Sequence, residues 1–384
     1  MRLLEVKTLE PVEFVPSEIP PYAILSHTWE ADEVNFQELT GVDKSWQSKA
    51  GWSKIKACAR QADSDGYSHI WVDTCCIDKK SSAELQEAIN SMFRWYEASE
   101  VCYVYLADCT FDETRGSAVL TKNLRWFSRG WTLQELIAPR KVLFFDKDWK
   151  RIGWKHGLLR EIFHLTGVRT EFLCHLFPPS WASVAERMSW AANRQTTREE
   201  DMAYCMLGIF GIHMPMLYGE GRGAFRRLQE EIIKVNDDAT ILAWGATNYA
   251  LGRGKLWGQC IDSPLFAEQP RDFLGGDLLC PLDTNDEEYR FNRFFMTQRG
   301  LQISLDVAKD PNFQNLAYGV LNCADYITSD QRRELDLAPN PRLRLRYTRF
   351  LAYPPCELGH QGYWSTRNAD SASIMSSFKG DQQI

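Results

Sequence analysis

At 384 residues, with 44% hydrophobic, 12% aromatic and 25% charged side chains, the chain has the composition of a globular protein of two to three domains, at about 150 residues each. A disordered chain, a collagen and a disulfide mini-protein are excluded. The net charge of −7 argues against a broad basic surface, so nucleic acid is not an expected partner.

Tyr22 to Ser26 is a short apolar run suited to a buried strand. Ser53 is placed to cap a helix over residues 53–65 whose apolar face is Ile55, Cys58, Ala59 and Ala62, with Gly66 as its stop. Ile70 to Val72 is a second strand, ending at Asp73. Ser81 and Glu84 have capping-box spacing, and the helix after them is expected to bury Leu85, Ala88, Ile89, Met92 and Tyr96. Val101 to Leu106 is a third strand, ending at Asp108. A helix around Trp131 to Ile137, stopped by Pro139, precedes a fourth strand, Val142 to Phe145, ending at Asp146. Alternating helices and short apolar strands predict an α/β fold with a mostly parallel sheet flanked by helices. Ligands of such sheets bind outside the carboxyl ends of the strands, where Ser26, His27, Asp73, Asp108 and Asp146 stand.

From Arg151 to Val235 the pattern turns helical. Ser183 with Glu186 and Thr197 with Glu200 give further capping boxes, and a helix from Gly223 buries Phe225, Leu228, Ile232 and Val235. Ile241 to Trp244, Phe294 to Thr297, Leu301 to Leu305 and Leu343 to Tyr353 read as strands, with Gln298, Arg299 and Gly300 as a hairpin turn. The expected organisation is an α/β core over 1–150, a helical extension over 151–240, a strand-rich region over 241–363 and a mobile tail over 364–384.

Several motifs fail. Gly219-Glu-Gly221-Arg-Gly223 has no following Gly-Lys-Ser/Thr, Gly252-Arg-Gly254-Lys255 lacks phosphate-loop spacing, and neither GxSxG nor HExxH occurs. The eleven cysteines have no zinc-ligand spacing, Cys75 and Cys76 being adjacent, so no metal site is expected. They read as free thiols of a reducing, cytoplasmic compartment. A thiolate–imidazole pair of Cys75 or Cys76 with His27 is a trailing alternative to core packing. Arg2, Glu5, Lys7 and Glu10 break up any signal-peptide core. The most apolar run, Ala203 to Leu217, holds His213 and Pro215 and is shorter than the ~20 residues that span a bilayer.

Four words stand out: Tyr22-Ala-Ile-Leu-Ser-His-Thr-Trp29, Trp71-Val-Asp-Thr-Cys-Cys-Ile-Asp78-Lys79, Asn90 through Trp95-Tyr96 and Ala98, and Ser128-Arg-Gly-Trp-Thr-Leu-Gln-Glu-Leu-Ile-Ala-Pro139. They resemble the heterokaryon-incompatibility (HET) domain of filamentous fungi. The resemblance continues through Ser183 to Trp190, Arg194 to Tyr204, Met214 to Gly221 and Phe225 to Ile233, and covers about residues 1–245. It implies a role in non-self recognition and regulated cell death after fusion of unlike cells, with an incompatibility partner that the sequence does not name. A second resemblance is to the Toll/interleukin-1-receptor (TIR) domain, which has the same alternation of strands and helices in a flavodoxin-like sheet. Trp131-Thr-Leu-Gln-Glu135-Leu136 is similar to the Trp-Cys-Leu-x-Glu-Leu word of plant TIR domains, with Thr132 in place of the Cys. That resemblance puts Glu135 where TIR enzymes hold the carboxylate used in cleaving the nicotinamide–ribose bond of NAD, and Ser128 on the serine before the tryptophan.

Glu135 is therefore the candidate catalytic residue, and NAD the candidate substrate; no resident cofactor is implied. A carboxylate suits the chemistry, because breaking an N-glycosidic bond builds a ribosyl cation. The competing explanation is a capping box between Thr132 and Glu135. Ser26 and His27 are candidates for hydrogen bonds to ribose or phosphate, Trp29 for stacking on a ring, Asp73 for lining the pocket, and Ser128 and Arg129 for the remaining ligand contacts, Arg129 toward a diphosphate. A non-enzymatic signalling module that self-associates is the second functional class.

Overall fold

The computed structural model describes residues 1–111, 120–245 and 265–281 and the strands Phe294–Thr297, Gly300–Lys309, Ala317–Val320, Cys323–Asp325, Arg346–Tyr347, Trp364–Thr366 and Ala372–Met375. The chain divides into two units, Met1–Pro179 with Arg194–Gly221, and Ser180–Asn193 with Arg222–Ile384.

The first unit is built on a seven-stranded sheet. Its strands are β1 (Arg2–Glu5), β2 (Pro11–Glu13), β3 (Tyr22–His27), β4 (His69–Trp71), β5 (Val101–Tyr105), β6 (Val142–Phe145) and β7 (Arg151–Trp154), in the order β2-β1-β4-β3-β5-β6-β7. The four apolar runs form its parallel centre, β4-β3-β5-β6. All six residues of β3 are buried, as the middle of a sheet covered on both faces requires. The expectation of a mostly parallel sheet is corrected at the edges, where β1, β2 and β7 pair antiparallel and make the sheet mixed. These strands have three or four residues and carry Arg2, Glu5, Glu13 and Arg151. Charge and brevity are normal for sheet edges, and they erase the apolar run that marks a central strand. For the same reason the segment after Arg151 opens with a strand rather than a helix.

The helices of this unit that position the site are α1 (Phe36–Thr40), α2 (Ala50–Ser64), α3 (Asp73–Cys76), α4 (Ser82–Ala98), α5 (Arg125–Ser128) and α6 (Thr132–Ile137). Asn35 and Glu38 close α1 with a reciprocal capping box. In α2 the expected face, Ile55, Cys58, Ala59 and Ala62, is buried, but the helix starts at Ala50 instead of Ser53. Its first donors go to Asp32, a residue 18 positions upstream, through Ala50 N to Oδ2 at 3.0 Å and Gly51 N to the carbonyl at 3.1 Å. Ser53 only donates back to Ala50. The helix ends before Gly66, whose φ of +86° suits glycine. In α4 Ser81 accepts from Glu84 N as expected, and Ala88, Ile89, Met92 and Tyr96 are buried while Leu85 is half-buried.

In the second unit Ser183 caps the helix Val184–Ser189 through Glu186 N at 3.0 Å. The helix Gly223–Val235 buries Phe225, Leu228, Ile232 and Ile233, whereas Val235, its last residue, is 71% exposed. Gln229 is fully buried on this helix and exchanges two hydrogen bonds with the backbone of Ala267, which satisfies an amide that would otherwise destabilise the core. Residues 241–244 are not a strand: Ala239–Leu242 forms a 3₁₀ turn begun by Asp238, which accepts from Thr240 N at 2.9 Å. A local side-chain acceptor here outweighs β propensity. Phe294–Thr297 and Gly300–Lys309 pair antiparallel as expected of a hairpin; residues 298 and 299 lie outside the described residues. So do 252–255 and, apart from the strand Arg346–Tyr347, the run 343–353. Within the polar segment 364–384, Trp364–Thr366 and Ala372–Met375 pair with each other, and the latter also with Gly300–Lys309.

Candidate functional site

A cleft of about 340 Å³ opens in the first unit beside the carboxyl ends of β3 and β4 and helix α6. His27, Trp29, Asp73, Arg129 and Glu135 line it, so five of the seven candidates meet in one place. Ser26 and Ser128 do not line the cleft.

Glu135 lies on α6 and is 7% exposed. The Ser26 hydroxyl at the end of β3 donates to its Oε2, and Ser26 in turn accepts from Trp126 Nε1 at 2.7 Å. Ser26 thus supports the carboxyl from behind. Burial pushes the Glu135 carboxyl up to about 8, against the hydrogen bond from Ser26. The capping explanation of Glu135 does not hold. Thr132 donates backward to the carbonyls of Trp126 and Arg129, and no side chain caps the start of α6. Ser128 donates to Arg125 O at 3.0 Å inside its own turn and does not line the cleft.

His27, Trp29 and Asp73 form one polar group with Lys79. Asp73 Oδ2 accepts from Trp29 Nε1 at 2.8 Å and from Lys79 Nζ at 3.4 Å. Burial pushes the Asp73 carboxyl upward, but Lys79 and the bonds from Trp29 and Lys79 outweigh it and hold the group below its ordinary range. His27 Nε2 is 3.8 Å from both Asp73 Oδ1 and Glu33 Oε1, too far to bond either. Burial, helped by Lys54, lowers His27 to about 3, so its ring is neutral. Lys54 is itself buried and pairs with Glu33 at 2.6 Å.

A second polar group, missed in the sequence, comes from residues 194–218. Segment 194–198 runs beside the loop before α6. Gln195 N donates to Ser128 O at 2.7 Å and Gly130 N to Gln195 O at 2.8 Å. Buried Arg194 donates to Arg129 O and Thr132 Oγ1. A Cβ on Gly130 would stand 2.5 Å from Thr196 Cγ2, which explains the glycine in the Ser-Arg-Gly-Trp word. This docking brings Thr197, Arg198, Asp201 and Tyr218 into the cleft. Arg129 donates to Thr197 Oγ1 at 2.9 Å, Arg198 lies 4.4 Å from the Tyr218 ring centroid, and Tyr218 donates to Asp201 Oδ1 at 3.0 Å. The available signal was the basic Arg194-Gln-Thr-Thr-Arg198 run; its reach to α6 is a long-range contact that no local pattern carries.

The other strand-end acids are structural. Asp146 accepts from the backbone of Phe111, Asp148 and Lys150, Asp108 from Arg125 N, and Asp78 from Gln37 and Lys80 N. Glu200 is not a capping partner of Thr197. Its Oε1 accepts from Gly219 N at 2.8 Å and Gly221 N at 3.1 Å, so the glycine-rich loop holds the chain's own carboxylate. The Cys–His alternative also fails. Cys75 is fully buried, donates to Val34 O, and is pushed by burial up to about 12, while Cys76 is raised further. Neither is a thiolate at neutral pH. Among the described residues no cluster of His, Cys, Asp and Glu fits a metal ion, and no helix is long and apolar enough to cross a membrane.

A family model described as heterokaryon incompatibility protein (HET) matches residues 22–123, from β3 through β5, and stops short of Glu135. The vegetative incompatibility protein HET-E-1 of Podospora anserina is 50% identical over 246 residues, which cover 61% of this chain and 18% of that relative. The chain therefore spans under a fifth of the relative's length. No solved structure matches. Over residues 22–123 the chain is thus similar to the heterokaryon incompatibility (HET) family, and over 246 residues to a vegetative incompatibility protein of a fungus.

Proposed function

We propose that the chain is an effector of heterokaryon (vegetative) incompatibility, and that its α/β unit acts by cleaving the nicotinamide–ribose bond of NAD. The incompatibility role is proposed from the similarity to a vegetative incompatibility protein. The enzymatic part rests on one observation: a buried acid, Glu135, is presented to a cleft at the carboxyl ends of parallel strands. In chain order those strands run second, first, third, fourth, and ligands of open α/β sheets bind outside the carboxyl ends of the strands.

In the reaction, the bond between ribose C1 and the ring nitrogen breaks and its electron pair leaves with neutral nicotinamide. The ribosyl cation that forms is stabilised by the Glu135 carboxylate. Water adds to the cation and releases a proton, giving ADP-ribose. A carboxyl raised to about 8 is mostly protonated in the empty cleft at neutral pH. The cationic pyridinium ring of the substrate favours the ionised form on arrival. Trp29 offers a stacking surface, Asp73 a carboxylate and Arg129 a guanidinium toward the diphosphate.

A second reading is a non-enzymatic, self-associating signalling module. It is favoured by the internal bonding of Glu135, which through Ser26 and Trp126 ties α6 to β3. Purified protein, dilute and crowded, is assayed for NAD loss and nicotinamide release. Stoichiometric release that disappears in Glu135→Gln supports cleavage. No release in either condition moves the protein to the second reading.

A further inference from the structure

One side chain in the cleft already behaves as a ligand. Lys79 Nζ lies 3.5 Å from the centroid of the Trp29 ring and 3.4 Å from Asp73 Oδ2. Trp29 Nε1 donates to that same oxygen, which locks the indole and the carboxylate in one arrangement. An aromatic face beside a carboxylate is a cation site, because ring quadrupole and negative charge attract the same ligand. Trp29 is 48% exposed, so the box is open to the cleft. Asp73 Oδ1 accepts no hydrogen bond among the described residues, and the neutral His27 ring stands 3.8 Å from it. The negative charge of Asp73 is therefore answered by one partly exposed ammonium and two neutral groups.

We propose that Trp29 and Asp73 form a cation-binding box, that Lys79 occupies it in the empty protein, and that the ligand class is a molecule carrying a cationic aromatic ring. The identification of that ring with the pyridinium of NAD rests on the function proposed above; the box itself does not. Lys79 is an internal competitor. A flexible ammonium that sits on Trp29 must swing away before a flat cation can stack there, and that displacement weakens binding. The device favours the oxidised, cationic ring over a neutral one, since only a cation replaces what Lys79 gives up. A role for Lys79 in holding ligand phosphate has the opposite consequence, because its removal then weakens binding.

Two probes isolate the charge: 1-methylnicotinamide, a permanent cation, and nicotinamide, its neutral parent. Each is titrated by ligand-observed NMR into the intact protein and into Lys79→Met, Lys79→Gln and Asp73→Asn. Both Lys79 variants are expected to bind 1-methylnicotinamide about tenfold tighter than the parent protein, with nicotinamide changed less than about twofold, and Asp73→Asn to lose the preference for the cation. Weaker binding of the cation by both Lys79 variants, or an unchanged ratio between the probes, overturns the proposal. NAD consumption is measured on the same samples. Charge-selective binding without NAD loss sustains the box and removes the glycohydrolase reading. NAD loss without charge-selective binding does the reverse.

Discussion

Glu135→Gln separates the electrostatics of the site from its shape. The variant keeps the size of the side chain and an oxygen to accept from Ser26, and it removes one ionisable group. In the unfolded chain this carboxyl titrates near 4.5, and in the folded protein burial raises it to about 8. Below pH 4.5 both states hold the proton and the group has no effect on pH-dependent stability. From pH 4.5 to 8 the unfolded chain releases the proton and the folded protein does not, so the parent loses stability as pH rises. At about 1.36 kcal/mol per pH unit, the loss is on the order of 3 kcal/mol at pH 7 and 5 kcal/mol above pH 8. The Gln variant has no such loss. Melting temperatures of the two proteins are expected to agree within a few degrees at pH 4.5 and to diverge by about 10 °C at pH 8, the variant melting higher. Turnover moves the other way. NAD consumption by the parent rises with pH through about 8 as the carboxylate forms, and the variant loses about 30- to 1000-fold at a pH where both are folded. A melting difference that stays flat from pH 4.5 to 8.5 refutes the buried-acid reasoning. A variant that melts higher yet consumes NAD at the parental rate refutes the catalytic role alone.

Gly130→Ala places a methyl 2.5 Å from Thr196 Cγ2 and is expected to cost about 1–3 kcal/mol; a thermal melt checks it, and an unchanged melting temperature contradicts the close docking of segment 194–198. Lys155, 3% exposed, donates to Leu136 O at 3.1 Å and Pro139 O at 2.6 Å, at the end of the helix that carries Glu135. Lys155→Met is expected to destabilise by about 2–4 kcal/mol, since two carbonyls lose a charged donor, measured by urea unfolding near neutral pH. Burial lowers Lys155 to about 8 from 10.5, so between those values the unfolded chain binds more protons and the parent gains stability with rising pH, by about 3 kcal/mol; the Met variant lacks that gain. Native-state alkylation followed by mass spectrometry is expected to modify the exposed Cys174 and to spare Cys58, Cys75, Cys76 and Cys102, whose thiols burial raises; early labelling of Cys75 contradicts its core placement.

The residue pattern alone determined the parallel centre of the sheet and the helices against it. Each of those strands is a short run of residues buried on both faces, and each helix shows its buried stripe, as with Ile55, Cys58, Ala59 and Ala62 in α2. Such patterns are local, so one sequence carries them. The same rule of strand ends pointed to His27 and Asp73, whereas Glu135 came from the resemblance of the Trp131 to Leu136 word to TIR domains. Edge strands escaped because β1, β2 and β7 are short and charged, and their pairing is decided by what lies beside them. The start of α2 escaped because Asp32, and not Ser53, takes its first donors. Tertiary structure alone decided the partners. It set Ser26 behind Glu135 and Lys79 on Trp29, filled the glycine loop with Glu200, and carried Arg198 and Tyr218 to the cleft. Each of these links joins residues at least 18 positions apart, or turns on which of several side-chain acceptors wins a donor, and neither is written in spacing or composition.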